Sequence, residues 1–359
     1  MVAAPDDRLL RVALLLAGGG RAIRQLVSRA GGASAARLAS AGAPPSLLST
    51  ARRIAETEAP TLLDGLAARS WRWLTPLDDD FPSDLAAISD PPLGLFVRGE
   101  LARRPTVAVV GARRATAYGL QVGRLLAGEV ARAGVVVVSG MARGVDRAAH
   151  EGALDAGGAT WAVWGAGPDR VYPAEHARLA ERIAASGALV TEYLPGTPPR
   201  RHHFPERNRL IAGLCRAVVV VEAAARSGAL ATAGQALDEG REVLAVPGSV
   251  LSELSVGPNA LLRMGARPAV TPRDVLDVLG VTTATGDPPV SPNPAASDRL
   301  LAALRPGESL PLDELAGRLG LPIEKVAARM VELEIEGVVT RGPDGAYRRR
   351  RANLPRGAE

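Results

Sequence analysis

Six short apolar runs constrain this chain more than any other feature: Thr106–Val110, Val135–Val138, Ala159–Trp164, Ala188–Thr191, Ala217–Val221 and Val243–Val246. They are rich in valine and alanine, and stretches of helical character alternate with them. Continuous apolar runs suit strands buried on both faces, and helices between them imply right-handed crossovers and a parallel sheet. The pattern predicts an α/β domain, an extended Rossmann-like, doubly wound parallel sheet that ends near Gly280.

Smaller units flank it. Residues 1–75 read as short helices with glycine stops, Asp7–Ala17 before Gly18-Gly19-Gly20 and Ala22–Ala30 before Gly31-Gly32. The aspartates Asp6 and Asp7 suit a helix cap, whereas a secretory signal would begin with positive charge. Two helices around a glycine turn form either a SAM or helix-hairpin-helix-like unit that offers amides to phosphate, or a small packing domain; packing is the simpler reading. The stretch Trp71–Gly99, rich in proline and aspartate, is a connector, so that residues 76–280 make one domain. Residues 281–297 hold four prolines and a single charge, Asp287, which describes a linker reaching some tens of Å. Beyond it, helices at Asp298–Leu304, Leu312–Leu319 and Ile323–Glu336 and a strand pair around Gly342–Gly345 make a winged helix spanning 298–359 with a basic tail. No run approaches the ~20 apolar residues of a membrane span, so a cytoplasmic location is expected.

Charge sharpens the functional reading. Lys and Arg number 43 against 38 Asp and Glu, a net +5, and Lys325 is the only lysine. Excess arginine points to an anionic partner, although GC-rich coding inflates arginine as well. The 3 Phe, 4 Trp and 4 Tyr leave few stacking platforms for bases. One cysteine, Cys215, excludes an intrachain disulfide and a cysteine-ligated zinc finger.

In an open parallel sheet, ligands bind outside the carboxyl ends of the strands. Here those ends carry Gly111-Ala112-Arg113-Arg114, Ser139-Gly140-Met141-Ala142-Arg143-Gly144 and Gly165-Ala166-Gly167. Arg200-Arg201, Arg207-Asn208-Arg209, Arg226-Ser227-Gly228 and Pro247-Gly248 follow. Glycine admits a ligand close to the backbone, helix N-termini present free amides, and arginine adds a bidentate fork for phosphate. Several such loops on one edge describe a polyanion groove. A nicotinamide site is excluded: after Gly111 no glycine comes before Gly119, and the second strand ends in Ser139 rather than an acid. The lone lysine lies far from any phosphate-binding loop, which argues against NTP hydrolysis.

Catalytic groupings are thin. His202 and His203 are adjacent, cannot easily chelate one metal, and read as basic loop residues beside phosphate. His150 is expected to be a structural histidine and Cys215 a core residue. Asp146 either caps its helix or orients Arg143, with the structural role preferred. Glu222 either meets a base edge or fixes a neighbouring loop. The third helix of the winged domain sets Lys325 and Arg329 against Glu324, Glu332, Glu334 and Glu336, a net −2, whereas a recognition helix should be basic. Its wing and tail are basic, with Arg341 and Arg348–Arg351 against Asp344. Protein contact or auxiliary phosphate binding is therefore favoured over base readout.

At these residues the chain resembles the DprA/Smf family of bacterial DNA-processing proteins. The similarity rests on Val110-Gly111-Ala112-Arg113 with Tyr118-Gly119, and on Ser139 through Asp146 with Ala149-His150. Tyr172-Pro173, Phe204 through Leu214, Val221-Glu222-Ala223 with Ser227-Gly228, and Gly240 through Pro247-Gly248 extend it. Phe81-Pro82 and the segment Pro91–Phe96 are similar to the family's connector, and the match spans roughly residues 70–280. The resemblance implies a single-stranded DNA-binding homodimer that protects incoming DNA and loads the RecA recombinase onto it in natural transformation or homologous recombination. It implies no catalysis, no cofactor and no metal. Arg113, Arg143, Phe204, Asn208, Ser227 and Gly228 match positions expected to line the DNA pocket, and Arg201 lies where the family tends to place another cation. With the loop residues Gly111, Ser139, Gly140, Gly144 and Arg209 they form the candidate site. Ala112 departs from the serine or threonine common there, and Pro168 adds a proline after Gly165-Ala166-Gly167. Two other classes compete. One is a nucleotide-processing enzyme of the related lysine-decarboxylase-like phosphoribohydrolases, whose P-G-G-x-G-T-x-x-E loop is missing from residues 222–234. The other is an adaptor in which the sheet domain only scaffolds protein contacts.

Overall fold

The valine runs occupy the middle of a nine-stranded sheet in the computed structural model, which describes residues 7–282, 299–304, 308–335, 338–342 and 345–349. Its strands are β1 (Arg72–Leu74), β2 (Leu95–Gly99), β3 (Thr106–Val110), β4 (Val136–Ser139), β5 (Thr160–Val163), β6 (Ala188–Thr191), β7 (Ala217–Val220), β8 (Glu242–Ala245) and β9 (Arg267–Pro268). Across the sheet they run β1-β2-β6-β5-β4-β3-β7-β8-β9, parallel from β6 to β9, with β1 and β2 added antiparallel at one edge. All six sequence runs are strands, two of them with unchanged limits. The connector proved to hold β1 and β2, which its prolines and aspartates conceal, and the two-residue β9 is too short to leave a pattern.

Residue alternation sorts the core. Val107 and Val109 point to one face, where they pack with Leu126 and Val130 of α7 (Ala117–Arg132) and Val145 and Ala149 of α8 (Val145–Asp155). Ala108 and Val110 point to the other, against Leu210, Ile211 and Leu214 of α10 (His203–Leu214) and Ala229 and Ala233 of α11 (Gly228–Asp238). Burial on both faces is what removed polar residues from these strands. Because β3 is followed outward by β4 on one side and β7 on the other, the direction of winding reverses between β3 and β7. A crevice opens at such a switch point, beyond the carboxyl ends of the strands.

The chain divides into two compact units, Met1–Ala284 and Thr285–Glu359. In the first, helices α1 (Asp7–Leu16), α2 (Arg21–Ala30), α3 (Ala35–Ser40), α4 (Pro45–Thr57) and α5 (Ala59–Ala67) build their own core around Leu14, Leu38 and Ile54. Val12, Ala59 and Leu66 join Trp71, Trp73, Phe96 and Trp164 at the β2–β6 side of the sheet. Asp7 accepts the Ala33 N–H at 2.5 Å, so this aspartate ties α1 to the turn before α3. The second unit contains α14 (Arg299–Ala303), β10 (Ser309–Leu310), α15 (Leu312–Leu319), α16 (Ile323–Ile335), β11 (Val339–Arg341) and β12 (Tyr347–Arg349). Its sheet runs β10-β12-β11, and Leu301, Leu315, Val326, Met330 and Tyr347 fill the core of this winged helix. Most of the linker 281–297, the start of its first helix at Asp298, and Arg350 and Arg351 of the tail lie outside the described residues.

His150 is a fully buried core residue on α8. Its Nδ1–H donates to Thr160 Oγ1 at 2.7 Å, and that hydroxyl donates to Val137 O at 2.6 Å. Burial pushes its pKa down to about 3, so the ring stays neutral when folded. The unfolded chain takes up a proton near pH 6.5, so this contribution to stability is full above that pH and is lost as pH falls toward 3. His150→Gln is expected to flatten the dependence: between pH 6.5 and 4 its unfolding free energy should fall by up to about 1.4 kcal/mol per pH unit less than that of wild type, measured by urea titration.

Candidate nucleic-acid interface

The crevice at the switch point is a cleft of ≈ 640 Å³. The β3–α7 loop forms one wall, the β7–α11 loop the other, and α10 crosses between them. Five arginines line it, Arg113, Arg114, Arg201, Arg207 and Arg226, against one acid, Asp146. Arg113, Arg114, Arg201 and Arg226 are exposed and form no ion pair among the described residues. Their charges are open to a ligand.

Helical spacing explains what α10 contributes. Phe204, Arg207, Asn208 and Ile211 stand at i, i+3, i+4 and i+7 and share the face toward the cleft. Phe204 is half-buried at the mouth, with the Arg113 guanidinium 4.9 Å from its ring centre and Tyr172 at 5.5 Å, centre to centre. Asn208 Nδ2 donates to Gly228 O at 3.3 Å, and Ser227 caps α11 by accepting the Ala229 N–H at 3.2 Å. The first bond ties the second wall to α10, and the second orders that wall itself.

Arg207 forms the floor. It is 3% exposed, and its guanidinium donates to Gly140 O at 3.0 Å, to Val163 O, and to Asn208 Oδ1 at 3.3 Å. Burial pushes its pKa down to about 10, while nearby Asp146 supports the charged form, so Arg207 is still a cation at neutral pH. Asp146 is also buried and accepts the N–H groups of Gly140 and Ala142 at 3.1 and 3.3 Å. Burial raises its carboxyl, opposed by Arg207 and those amides. Its role is structural, as expected, but it steadies the 140–142 backbone and Arg207 rather than Arg143. Two glycines are required by close approach: a Cβ on Gly140 would lie 2.5 Å from Arg207 Nη2, and one on Gly144 (φ +77°) 2.1 Å from Ala112 O.

Of the twelve residues singled out from sequence, Gly111, Arg113, Arg201, Phe204, Asn208, Ser227 and Gly228 meet in the cleft. The other five stand elsewhere. Ser139 is fully buried and donates to Val109 O at 2.7 Å, and Gly140 lies beneath Arg207. Gly144 sits where the β3 and β4 loops touch, and Arg143 is exposed beside Glu175. Arg209 is buried against Glu192 at 2.5 Å and Asp90 at 3.4 Å. Glu222 holds the β3–α7 loop, accepting Thr116 N–H at 2.9 Å and its hydroxyl at 2.5 Å, which answers the question its sequence left open. His203 stacks on Tyr193 and hydrogen-bonds Gly165 O at 3.2 Å, and Cys215 is buried at the end of α10. Arg114, Arg207 and Arg226, read in the sequence as part of the groove loops but left out of the candidate site, also line the cleft, and the helical step from Phe204 was the available signal for Arg207.

A doubly wound sheet with an arginine-lined cleft at its switch point, followed in the chain by a winged helix, makes this a two-unit α/β protein whose sheet carries a basic cleft. Comparison with known proteins narrows the class. The family model for DNA recombination-mediator protein A matches residues 72–280, and that for the DprA winged helix domain matches 283–345. The chain is 40% identical to Protein Smf of Escherichia coli over 291 residues, 78% of each chain. It is 46% identical to DNA processing protein DprA of Streptococcus pneumoniae over 203 residues, 56% of this chain and 71% of that one. The X-ray structure of the S. pneumoniae protein superposes with a TM-score of 0.61 at 36% identity, covering 76% of this chain and 93% of that one. DNA processing protein A of Helicobacter pylori, solved for its single-stranded DNA binding mode, gives 0.53 at 30% identity, covering 58% and 95%. The chain belongs to the DprA/Smf family of DNA recombination mediators.

Proposed function

We propose that this protein binds single-stranded DNA in the switch-point cleft and hands it to the RecA recombinase without chemical catalysis. The observation that carries the reading is the exposed arginine set that shares the cleft with Phe204: four guanidinium groups without an ion pair among the described residues, for phosphates, and one aromatic face for a base. A single strand offers both at once, whereas a duplex keeps its base faces stacked. Gly111, Arg113, Arg201, Phe204, Asn208, Ser227 and Gly228 contact the strand in this reading, with Arg226 at the rim and Arg207 as the charged floor. Ser139, Gly140, Gly144 and Arg209 hold the loops and helices in place. The protein acts as a homodimer in the cytoplasm, where recombination or transformation delivers its substrate. No described helix is long and apolar enough to cross a membrane.

In the same reading the winged helix is auxiliary. Glu324 and Glu334 are exposed on α16, which suits protein contact better than a phosphate backbone. A fragment ending at residue 282 should therefore keep single-strand affinity within about threefold of the whole chain at 0.15 M salt. Fluorescence anisotropy with matched single- and double-stranded oligonucleotides tests both parts. Preference for the duplex, or a fragment that no longer binds, contradicts the assignment. RecA nucleation followed on the same oligonucleotide, with and without the protein, tests the hand-off.

A further inference from the structure

Arg143 is a cation at the edge of the cleft that is already engaged. Its Nε donates to Glu175 Oε1 at 2.6 Å, with the two side chains 63% and 49% exposed. The backbones beneath them are fixed. The Asp146 carboxylate accepts N–H groups from Gly140 and Ala142, and buried His176, next to Glu175, donates from Nδ1 to Met141 O at 3.0 Å. Glu175 follows closely on Tyr172, which lines the cleft. The pair is therefore two exposed side chains on a hydrogen-bonded frame beside the entrance.

An exposed ion pair is weakly held and is readily exchanged for another anion. A phosphate offers Arg143 the same charge-assisted hydrogen bond as the carboxylate does. We propose that Glu175 holds Arg143 outside the cleft in the free protein and yields it to a backbone phosphate of the entering strand, so that Glu175 sets the affinity of the cleft. The proposal rests on the single-strand reading above. The exchange favours long polyanions: a lone phosphate bound among the cleft arginines leaves the latch closed, whereas a strand whose next phosphate passes Tyr172 opens it. Glu175 thereby lowers affinity for every ligand that cannot open the latch, and holds affinity for DNA at a level from which the strand can be released.

A double-mutant cycle on the full chain tests this, with a 5′-labelled oligothymidylate in fluorescence anisotropy at 0.15 M salt. Glu175→Gln should tighten binding about three- to tenfold, since Arg143 no longer leaves a partner and no carboxylate faces the strand. In the Arg143→Ala background the same substitution should gain clearly less, because only the repulsion is then removed. Equal gains in the two backgrounds, or no gain in wild type, would overturn the latch. Both positions are exposed, and melting curves within a few degrees of wild type confirm that each variant is folded. Wild-type protein that fails to bind the oligonucleotide would overturn the single-strand reading itself, a result distinct from binding that Glu175→Gln leaves unchanged.

Discussion

Arg207→Ala should destabilise the protein by about 3 kcal/mol or more, since each buried acceptor left without its donor costs about 1–3 kcal/mol. The side chain is buried beneath the cleft, and three acceptors converge on it: Gly140 O, Val163 O and Asn208 Oδ1. Its removal strips the carboxyl ends of β4 and β5 of a shared donor and takes away the cation that most favours the charged Asp146 carboxylate. A lysine would keep the charge but cannot reproduce the planar fork that reaches several oxygens, so Arg207→Lys should recover only part of the loss. Urea unfolding of both variants measures this. An Arg207→Ala protein within 1 kcal/mol of wild type would show that the floor is not built on this residue.

Phe204→Ala should weaken single-strand binding by about 1–3 kcal/mol, roughly 5- to 150-fold, the range for loss of one stacked base. The ring is half-buried at the mouth of the cleft, and a Cβ placed on Gly165 would lie 3.2 Å from it, so some packing is lost as well. Stacking and packing separate in Phe204→Trp, which keeps a larger aromatic face and should retain affinity. If Phe204→Ala melts early but binds like wild type, the ring is a core residue and the base lies elsewhere.

The strands were legible because burial on both faces leaves nothing polar in runs such as Val107–Val110 and Val135–Val138, a signal that survives without tertiary information. The edge strands escaped for the opposite reason. Gly94 and the prolines Pro91 and Pro92 precede β2, and such residues mark turns as readily as strand entries. Within the site, loop residues beside the ends of β3 and β7 could be named because topology alone brings those ends together. Side-chain direction was harder. Arg209 follows Phe204 by five residues, which turns it about 140° around the helix, away from the cleft and onto Glu192 and Asp90. Arg207, at three residues, comes back to the cleft face. Arg143 shows a different limit: its place beside the entrance follows from the loop, but its partner, Glu175, lies 32 residues away and no local pattern announces the pair.

The central claim is that exposed cleft arginines bind the phosphates of a single strand, and the salt dependence of affinity tests it most directly. Each phosphate neutralised on a single strand contributes about −0.7 to the slope of log K against log salt concentration. Arg113→Ala with Arg201→Ala removes two such contacts without disturbing an ion pair among the described residues. The double variant should bind single-stranded DNA more weakly, with a slope shallower by about 1.4 between 0.05 and 0.3 M salt. A slope equal to that of wild type would place the DNA somewhere other than the cleft.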